Sequence, residues 1–179
     1  MKCTICLACI LLAGSTALPA QTDDGARLTQ FKAVFIYNFV SYVQWPEAER
    51  AGVFRIGILG DSPLEAPLRE ISEKRNIESR KLQLDVYRDI EALKTCHVLF
   101  ISRERAGELD EIRQGLGNRS VLIVADTPGL ADRGVAINFV LVKGKLKFEI
   151  NRQALRRAGL RASAQLLKLA ILVEDGSDR

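Results

Sequence analysis

The sequence contains few of the residues that metal and catalytic sites require. Its 179 residues include 1 histidine and 4 cysteines. Three of those cysteines, Cys3, Cys6 and Cys9, fall in the first twenty residues, which have the pattern of a removable export signal. One histidine and one remaining cysteine, Cys96, supply too few ligands for zinc and leave no partner for an intrachain disulfide.

Charge and aromatic content argue against a nucleic-acid-binding protein. The chain has 26 Lys and Arg against 22 Asp and Glu, a formal net charge of +4, and 6% aromatic residues. The charges of both signs are interleaved, without a basic block, and few aromatic rings could stack on bases. We therefore expect no nucleic-acid partner.

The sequence also lacks an apolar run long enough to span a bilayer. Its longest candidate, Ile5 to Leu12, falls well short of the roughly 20 residues required. Lys2 before the run and small residues up to Ala17 and Ala20 are typical of a secretory signal peptide. We predict a signal peptide over 1–20 and one exported domain over 21–179, and cleavage after Ala17 is the alternative.

A lipidation site at Cys9 is not favoured, because this cysteine lies inside the apolar run. Cys96 begins a second, shorter apolar run and is most simply a buried small hydrophobe, with an intermolecular bridge or a reactive thiol left open.

No catalytic constellation is evident. His97 follows Cys96 directly, and adjacent strand residues point to opposite sheet faces, so the two cannot form a nucleophile and base pair. Gly57 to Gly60 lacks the lysine and spacing of a phosphate-binding loop. We therefore expect a protein that is not an enzyme and needs no cofactor, and a cell-envelope hydrolase using Cys96 or His97 is the weakest alternative.

Apolar strand patterns alternate with helical ones along the chain. This alternation predicts an α/β fold, a single three-layer domain with a mostly parallel central sheet and helices on both faces. The predicted segments are a helix over Leu28–Trp45, a strand over Phe54–Gly60, a helix starting at Ser62, a strand over Lys81–Tyr87, a short helix near Asp89–Lys94, a strand over His97–Ser102, a helix over Arg103–Gly115 and a strand over Ser120–Ala125.

The last third of the chain predicts an antiparallel β-hairpin at one sheet edge, followed by helices. Two alternating apolar runs, 134–141 and 146–151, flank Gly144, which can supply the positive φ of a tight turn. Asn151 is a good N-cap for a helix that Gly159 would end. Ser163 can cap a second helix, whose apolar face would include residues from Leu166 to Val173.

Two regions could carry a binding site. In an open parallel sheet, ligands sit beyond the carboxyl ends of the strands, where Asp61 and Asp126 fall. These aspartates could form a metal-binding phosphoacceptor site, but helix-start and turn roles explain them more simply. A small-solute-binding protein using this crevice is our alternative function.

The second region is an arginine cluster in the hairpin-to-helix corner after Glu149. It comprises Arg152, Arg156, Arg157 and Arg161. The cluster is either a solvated cationic face near a helix C-terminus or a socket for an acidic partner segment or small anion, with Glu149 orienting an arginine.

The order of these segments resembles the YfiR family over about residues 28–174. The segments that carry the resemblance are Phe31–Phe39 leading to Trp45-Pro46, Ile56–Asp61, Cys96–Ser102, Gly134–Phe139, Phe148–Asn151 and Ser163 with Leu166–Ala170.

The resemblance implies a periplasmic inhibitor that forms a homodimer. Such a protein would repress an inner-membrane diguanylate cyclase through its periplasmic sensor domain, and an OmpA-like outer-membrane lipoprotein would sequester it. Implied partner- or ligand-binding residues are Glu149, Asn151, Leu155, Arg157 and Arg161. Cys96 matches a family cysteine whose intrachain partner is absent here, so redox-gated stability is not expected.

Overall fold

The computed structural model describes residues 21–93 and 96–176, so the predicted signal peptide lies outside the described residues. The helices are α1 (Gln21–Tyr42), α2 (Glu65–Lys74), α3 (Leu109–Leu116), α4 (Arg152–Arg157) and α5 (Ala164–Leu169). The strands are β1 (Val43–Gln44), β2 (Phe54–Leu59), β3 (Asn76–Ile77), β4 (Arg80–Tyr87), β5 (Val98–Ile101), β6 (Leu122–Ala125), β7 (Ile137–Val142), β8 (Lys145–Asn151), β9 (Arg161–Ala162) and β10 (Ile171–Val173).

The main sheet has the strand order β10-β8-β7-β6-β5-β2-β4-β3. The five strands β4, β2, β5, β6 and β7 run parallel to one another. Antiparallel pairs occur between β7 and β8 and between β3 and β4. This arrangement confirms the predicted α/β fold with a mostly parallel central sheet.

Successive residues of a central strand pack into two separate hydrophobic cores, one on each face of the sheet. In β5, Val98 and Phe100 join the cluster that α1, α2, α4 and α5 cover. Leu99 and Ile101 join a second cluster under α3 and the loops around it. The nearly continuous apolar runs of the central strands are therefore buried on both faces, as a three-layer domain requires.

The predicted hairpin is present, but it does not end the sheet. β7 and β8 pair antiparallel from Ile137 opposite Ile150 to Val142 opposite Lys145. Their two-residue turn places Lys143 at φ 51 and Gly144 at φ 73, a conformation that favours glycine. β10 then adds parallel to β8 at the edge, so the hairpin is interior.

The chain after α4 departs from the prediction of one long second helix. Ser163 caps α5 as expected, since its Oγ accepts a hydrogen bond from the Leu166 amide. The helix ends at Leu169, and Val173 lies in β10, because pairing with β8 keeps this segment extended. Tertiary pairing here overrides local helix propensity.

Several other predicted helix boundaries also differ from those in the structure. The first helix begins at Gln21 and ends at Tyr42, where Val43–Gln44 pair with β9 instead. α2 starts at Glu65 after a turn in which the Oγ of Ser62 accepts from the Leu64 amide. The described part of the predicted helix near Asp89, residues 89–93, forms turns, and residues 103–108 form a 3-10 helix before α3.

Candidate functional site

The carboxyl ends of the parallel strands place Asp126 where open sheets often bind ligands. Its carboxylate lies 2.5 Å from the ammonium of Lys32 on α1 and 3.7 Å from Nε of Arg103. The side chains of Lys32 and Asp126 are 13% and 17% exposed. Asp126 therefore joins α1 to the sheet, a role beyond the turn residue that the sequence predicted, and its charge is already balanced.

The predicted hairpin-to-helix corner lies at the opposite end of the strands, beside the amino ends of β6 and β7. Asn151 ends β8 and is fully buried. Its Oδ1 accepts from the Ala154 amide at 2.8 Å, so Asn151 is the N-cap that the sequence predicted. Its Nδ2 donates to the Ala131 carbonyl at 2.7 Å and to Oδ1 of Asp175 at 2.6 Å. One amide thus ties α4, the loop before β7 and the chain after β10 together.

Asp175 also receives two hydrogen bonds from Arg157. Nη2 of Arg157 donates to Oδ1 at 3.2 Å, and Nη1 donates to Oδ2. The hydrogen bonds from Arg157 lower the pKa of the Asp175 carboxyl, and partial burial opposes this shift. The hydrogen bond from Asn151 and the positive charges of Arg157 and Arg113 lower the pKa further. A guanidinium gripping a carboxylate by two bonds is the geometry by which arginine recognises anions.

Arg113 approaches the same corner from α3. A Cβ placed on Gly134 would lie 3.0 Å from Nη2 of Arg157 and 3.3 Å from Nη1 of Arg113. Both guanidinium groups therefore rest over one glycine, whose φ of 102 also excludes most other residues. The space between α3, α4 and the amino ends of β6 and β7 is a cleft of about 620 Å³, which we call the arginine cleft.

Glu149 lies two residues before Asn151, on the same face of β8. It is 7% exposed, and its Oε2 accepts from Nδ2 of Asn138 at 3.2 Å. Asn138 is fully buried opposite Glu149 in β7. Glu149 is therefore a mostly buried carboxylate that Asn138 helps to hold in place, and its role in orienting an arginine or meeting a partner stays a prediction.

Two of the predicted site residues lie apart from this corner. Leu155 is 3% exposed and packs in the core under α4, and its binding role stays a prediction. Arg161 cannot share a helix face with Arg157, because α4 ends at Arg157 and Arg161 pairs with Gln44 in the two-stranded sheet. The structure links Asn151 and Arg157 through Asp175, and Glu149 lies two residues before Asn151 on β8.

Cys96 and His97 lie just before β5 and pack on opposite faces of the sheet, as the sequence predicted for adjacent residues. Cys96 is 2% exposed in the core under α3, and burial raises the pKa of its thiol to about 12. The His97 ring stacks on Phe54 with centroids 4.4 Å apart. In this conformation the thiol is a buried apolar group that cannot reach a second chain.

His97 is nevertheless held by specific polar contacts. Its Nδ1 accepts from the Arg55 amide at 3.1 Å, and Nε2 lies 3.0 Å from the Glu49 carbonyl and 3.0 Å from Nη2 of Arg80. Burial lowers the pKa of His97, and the neighbouring arginines Arg80 and Arg55 act in the same direction. A neutral ring with its proton on Nε2 accepts from the Arg55 amide at Nδ1 and donates to the Glu49 carbonyl, and in that tautomer it accepts no hydrogen bond from Arg80.

Sequence reasoning missed Arg113, Gly134 and Asp175. Arg113 lies 44 positions from Arg157 in the printed sequence, and no local pattern connects them. In the sequence, Asp175 is one of several charged residues in a polar C-terminal stretch. Its role depends on β10, which carries the chain back beside α4, and β10 was itself predicted as helix.

Across 21–93 and 96–176, no group of three or more His, Cys, Asp or Glu side chains is placed to hold a metal ion. Over the same ranges, none of the helices combines the length and apolar character needed to cross a membrane.

The fold and this corner define an α/β domain whose polar site is built from the end of β8, the helices α3 and α4, and the side-chain carboxylate of Asp175. Residues 29–171 match the YfiR/HmsC-like family, and the chain belongs to that family. Members are periplasmic regulatory proteins of cyclic di-GMP signalling that act on a partner protein. No curated protein matches the chain.

Proposed function

We propose that this protein is exported to the periplasm and represses an inner-membrane diguanylate cyclase by binding the periplasmic domain of that cyclase. The observation that carries the proposal is the family match over residues 29–171. Repression lowers cyclic di-GMP and, with it, biofilm formation. Residues 1–20 serve as the signal peptide in this proposal.

The mechanism is a shift between two states of the cyclase. An inhibitor lowers activity when it binds the inactive arrangement more tightly than the active one. An OmpA-like outer-membrane lipoprotein that competes for the inhibitor would return the cyclase to its active state. No bond is made or broken by the inhibitor itself.

The corner around Glu149, Asn151 and Arg157 is the proposed contact site. Its exposed charges can pair with a partner, while Asn151 fixes their positions from beneath. The side chains of Arg157 and Asp175 are 42% and 35% exposed, so both are accessible to another protein.

Deletion and complementation test the proposal. Loss of the gene should raise cellular cyclic di-GMP several-fold, and the full-length gene should restore it. A version lacking residues 1–20 stays in the cytoplasm and should fail to complement although it folds. Unchanged cyclic di-GMP in the deletion strain, with an envelope cyclase expressed, would contradict the proposal.

A homodimer is part of this proposal, supported by exposed apolar side chains on one side of the molecule. Phe31 and Val34 of α1 are 54% and 41% exposed, and Leu169 of α5 is 65% exposed. Phe35, one turn after Phe31, lines a cavity of about 180 Å³ together with Leu169. Light scattering should find a dimer for the mature protein and a monomer for Phe31→Glu, whereas a monomeric parent protein would exclude the dimer.

A further inference from the structure

We propose that the tip of the β7–β8 hairpin binds the surface of a bilayer that contains anionic phospholipid. Leu141 and Val142 enter the head-group region, and Lys143, Lys145 and Lys147 contact the lipid phosphates. This binding goes beyond the proposed function and can be measured without any cyclase.

The outer part of the hairpin extends past the neighbouring strands of the sheet. β6 pairs with 137–138 of β7, and β10 pairs with 149–151 of β8. Within the described part of the chain, the strand residues between these positions pair only with each other. We call residues 139–148 the projecting ribbon. Its two strands therefore have free edges on both sides.

The projecting ribbon is fixed at its base and apolar at its tip. The rings of Phe139 and Phe148 lie 6.3 and 5.9 Å from the ring of Phe35 on α1, centroid to centroid. At the tip, by contrast, Leu141 is 60% exposed and Val142 is 40% exposed. Strand edges that need protection only from aggregation carry charged or otherwise polar side chains. The exposed leucine and valine therefore indicate a surface that they contact.

The turn and the strand after it carry a concentrated positive charge. Lysine occupies three alternate positions, Lys143, Lys145 and Lys147, and all three side chains are exposed. The sequence has no Asp or Glu between Asp132 and Glu149. None of the three lysines takes part in an ion pair between side chains of residues 21–93 and 96–176. Their charge is therefore complementary to an anionic surface.

The order of apolar and basic residues favours a lipid surface over an acidic protein. Segments that bind membranes place apolar side chains about 5–10 Å deep and keep lysines among the head groups. Leu141 and Val142 directly precede Lys143, so one approach of the tip satisfies both kinds of side chain. The long lysine stems let the ammonium groups reach phosphates while the apolar side chains lie deeper. Protein interfaces, in contrast, are depleted of lysine.

Binding through the tip leaves the proposed partner site accessible. That site lies at Asn151, the far end of β8, and at about 3.3 Å per strand residue it is roughly 20 Å from the tip. A bilayer at the tip would hold the site at a height that the periplasmic domain of a membrane protein can reach. This consequence rests on the proposed function.

Co-sedimentation of the mature protein with lipid vesicles tests the binding. The probes are vesicles of phosphatidylcholine alone and vesicles of equal parts phosphatidylcholine and phosphatidylglycerol. We expect at least about tenfold stronger binding to the anionic vesicles at low salt, and weaker binding as added salt screens the lysines. Equal binding to both vesicles, or no binding to the anionic ones, would overturn the proposal.

Lysine variants locate the contact. Replacing Lys143, Lys145 and Lys147 together by Gln should weaken binding to anionic vesicles at least about tenfold, since each lysine near such a surface contributes about fivefold. The matched control removes three exposed lysines outside the projecting ribbon, namely Lys74→Gln, Lys81→Gln and Lys168→Gln. The control should change binding less than about threefold. An equal loss in both variants would indicate attraction by net charge and contradict the proposal.

Insertion of the apolar side chains is tested separately. Leu141→Ser combined with Val142→Ser keeps every lysine and should weaken binding severalfold, because less apolar surface enters the bilayer. Val142→Trp should shift its fluorescence to the blue on anionic vesicles, while the native Trp45 is buried and supplies a constant background. Unchanged binding of the serine variant without a blue shift would overturn insertion. Melting temperatures close to that of the parent protein exclude unfolding as the cause.

A protein partner at the projecting ribbon would give a different result. Loss of repression in the lysine variant with unchanged vesicle binding would assign the ribbon to that partner and overturn the lipid proposal. Failure of lipid binding alone would leave repression by the parent protein untouched, so the two hypotheses can fail separately.

Discussion

The two ends of the central sheet handle charge in opposite ways. At the carboxyl ends of the parallel strands, Asp126 is shared by Lys32 and Arg103, and its pair with Lys32 is largely buried. At the amino ends of β6 and β7, Arg113 and Arg157 converge on Gly134 beside an open cleft. Topology favours ligands at the first end, but the side chains there satisfy one another. Donors accessible to a ligand lie at the second end.

The largest loss of stability is expected when Asp126, the carboxylate at the first end of the sheet, is removed. Asp126→Ala leaves Lys32 as a mostly buried, unpaired cation, and we expect a loss of about 3 kcal/mol in the free energy of unfolding. Urea denaturation measures it. Glu65→Ala, which breaks the exposed pair with Arg69, should cost about 0.5 kcal/mol or less. Similar losses for both would mean that Asp126 has no special structural role.

At the second end, stability should depend on an uncharged residue. Asn151→Ala removes the cap of α4 and the bonds to Ala131 and Asp175, and we expect a loss of about 2 kcal/mol. Ser163→Ala, the equivalent change at the cap of α5, should cost about 1 kcal/mol. Denaturation in urea compares the two, and an equal loss would show that the extra bonds of Asn151 contribute little.

The burial of His97 should make the stability of the protein depend on pH. The pKa of His97 is lowered in the folded state, so the unfolded chain binds the proton more readily. Stability should be full above the unfolded pKa of about 6.5 and fall as the pH drops below it. Protonation would also give Nδ1 a hydrogen facing the Arg55 amide, next to Arg80.

Melting temperatures measured between neutral and mildly acidic pH test this expectation, with His97→Gln as the comparison. The variant should lose part of the pH slope, although carboxylates elsewhere still titrate. Parallel curves for the two proteins would show that His97 does not contribute to the slope.

Only a small effect on stability is expected at Arg157. Its pair with Asp175 is partly exposed, so Arg157→Gln should lower the free energy of unfolding by less than about 1 kcal/mol. In the complementation assay the same variant should repress poorly, because a contact residue is lost. Full repression by Arg157→Gln would remove this arginine from the proposed partner site.

Glu149 needs a gentler substitution than a charge reversal. At 7% exposure, a lysine would bury a cation beside Asn138 and damage the fold itself. Glu149→Gln keeps an oxygen that can accept from Asn138 and removes the charge. Reduced repression with unchanged stability would assign Glu149 to the interface, and unchanged repression would remove it.

Features set by residues a few positions apart could be predicted from the sequence, whereas a pairing between distant segments could not. The Asn151 cap, the Ser163 cap and the turn at Gly144 are local patterns, and all three are present. The segment 171–173 looked helical because Leu166 to Val173 has helical spacing, yet it pairs with β8. The strand partner lies 22 residues away in the sequence, so no local pattern indicates the pairing.

The candidate site shows the same limit. The family resemblance placed the predicted binding residues in one segment, namely Glu149, Asn151, Leu155, Arg157 and Arg161. Burial separates Leu155, and the short helix α4 separates Arg161. Arg113 and Asp175 reach the corner from distant segments, so no spacing rule could have selected them.

By itself, the sequence determined the alternation of strands and helices, the caps and the tight turn, because these follow from residue periodicity and from hydrogen bonds within a few positions. The tertiary structure decided which charges face one another. It buried Asp126 against Lys32 and brought Arg113, Arg157 and Asp175 together. Such pairings depend on distances in space that the order of residues along the chain does not specify.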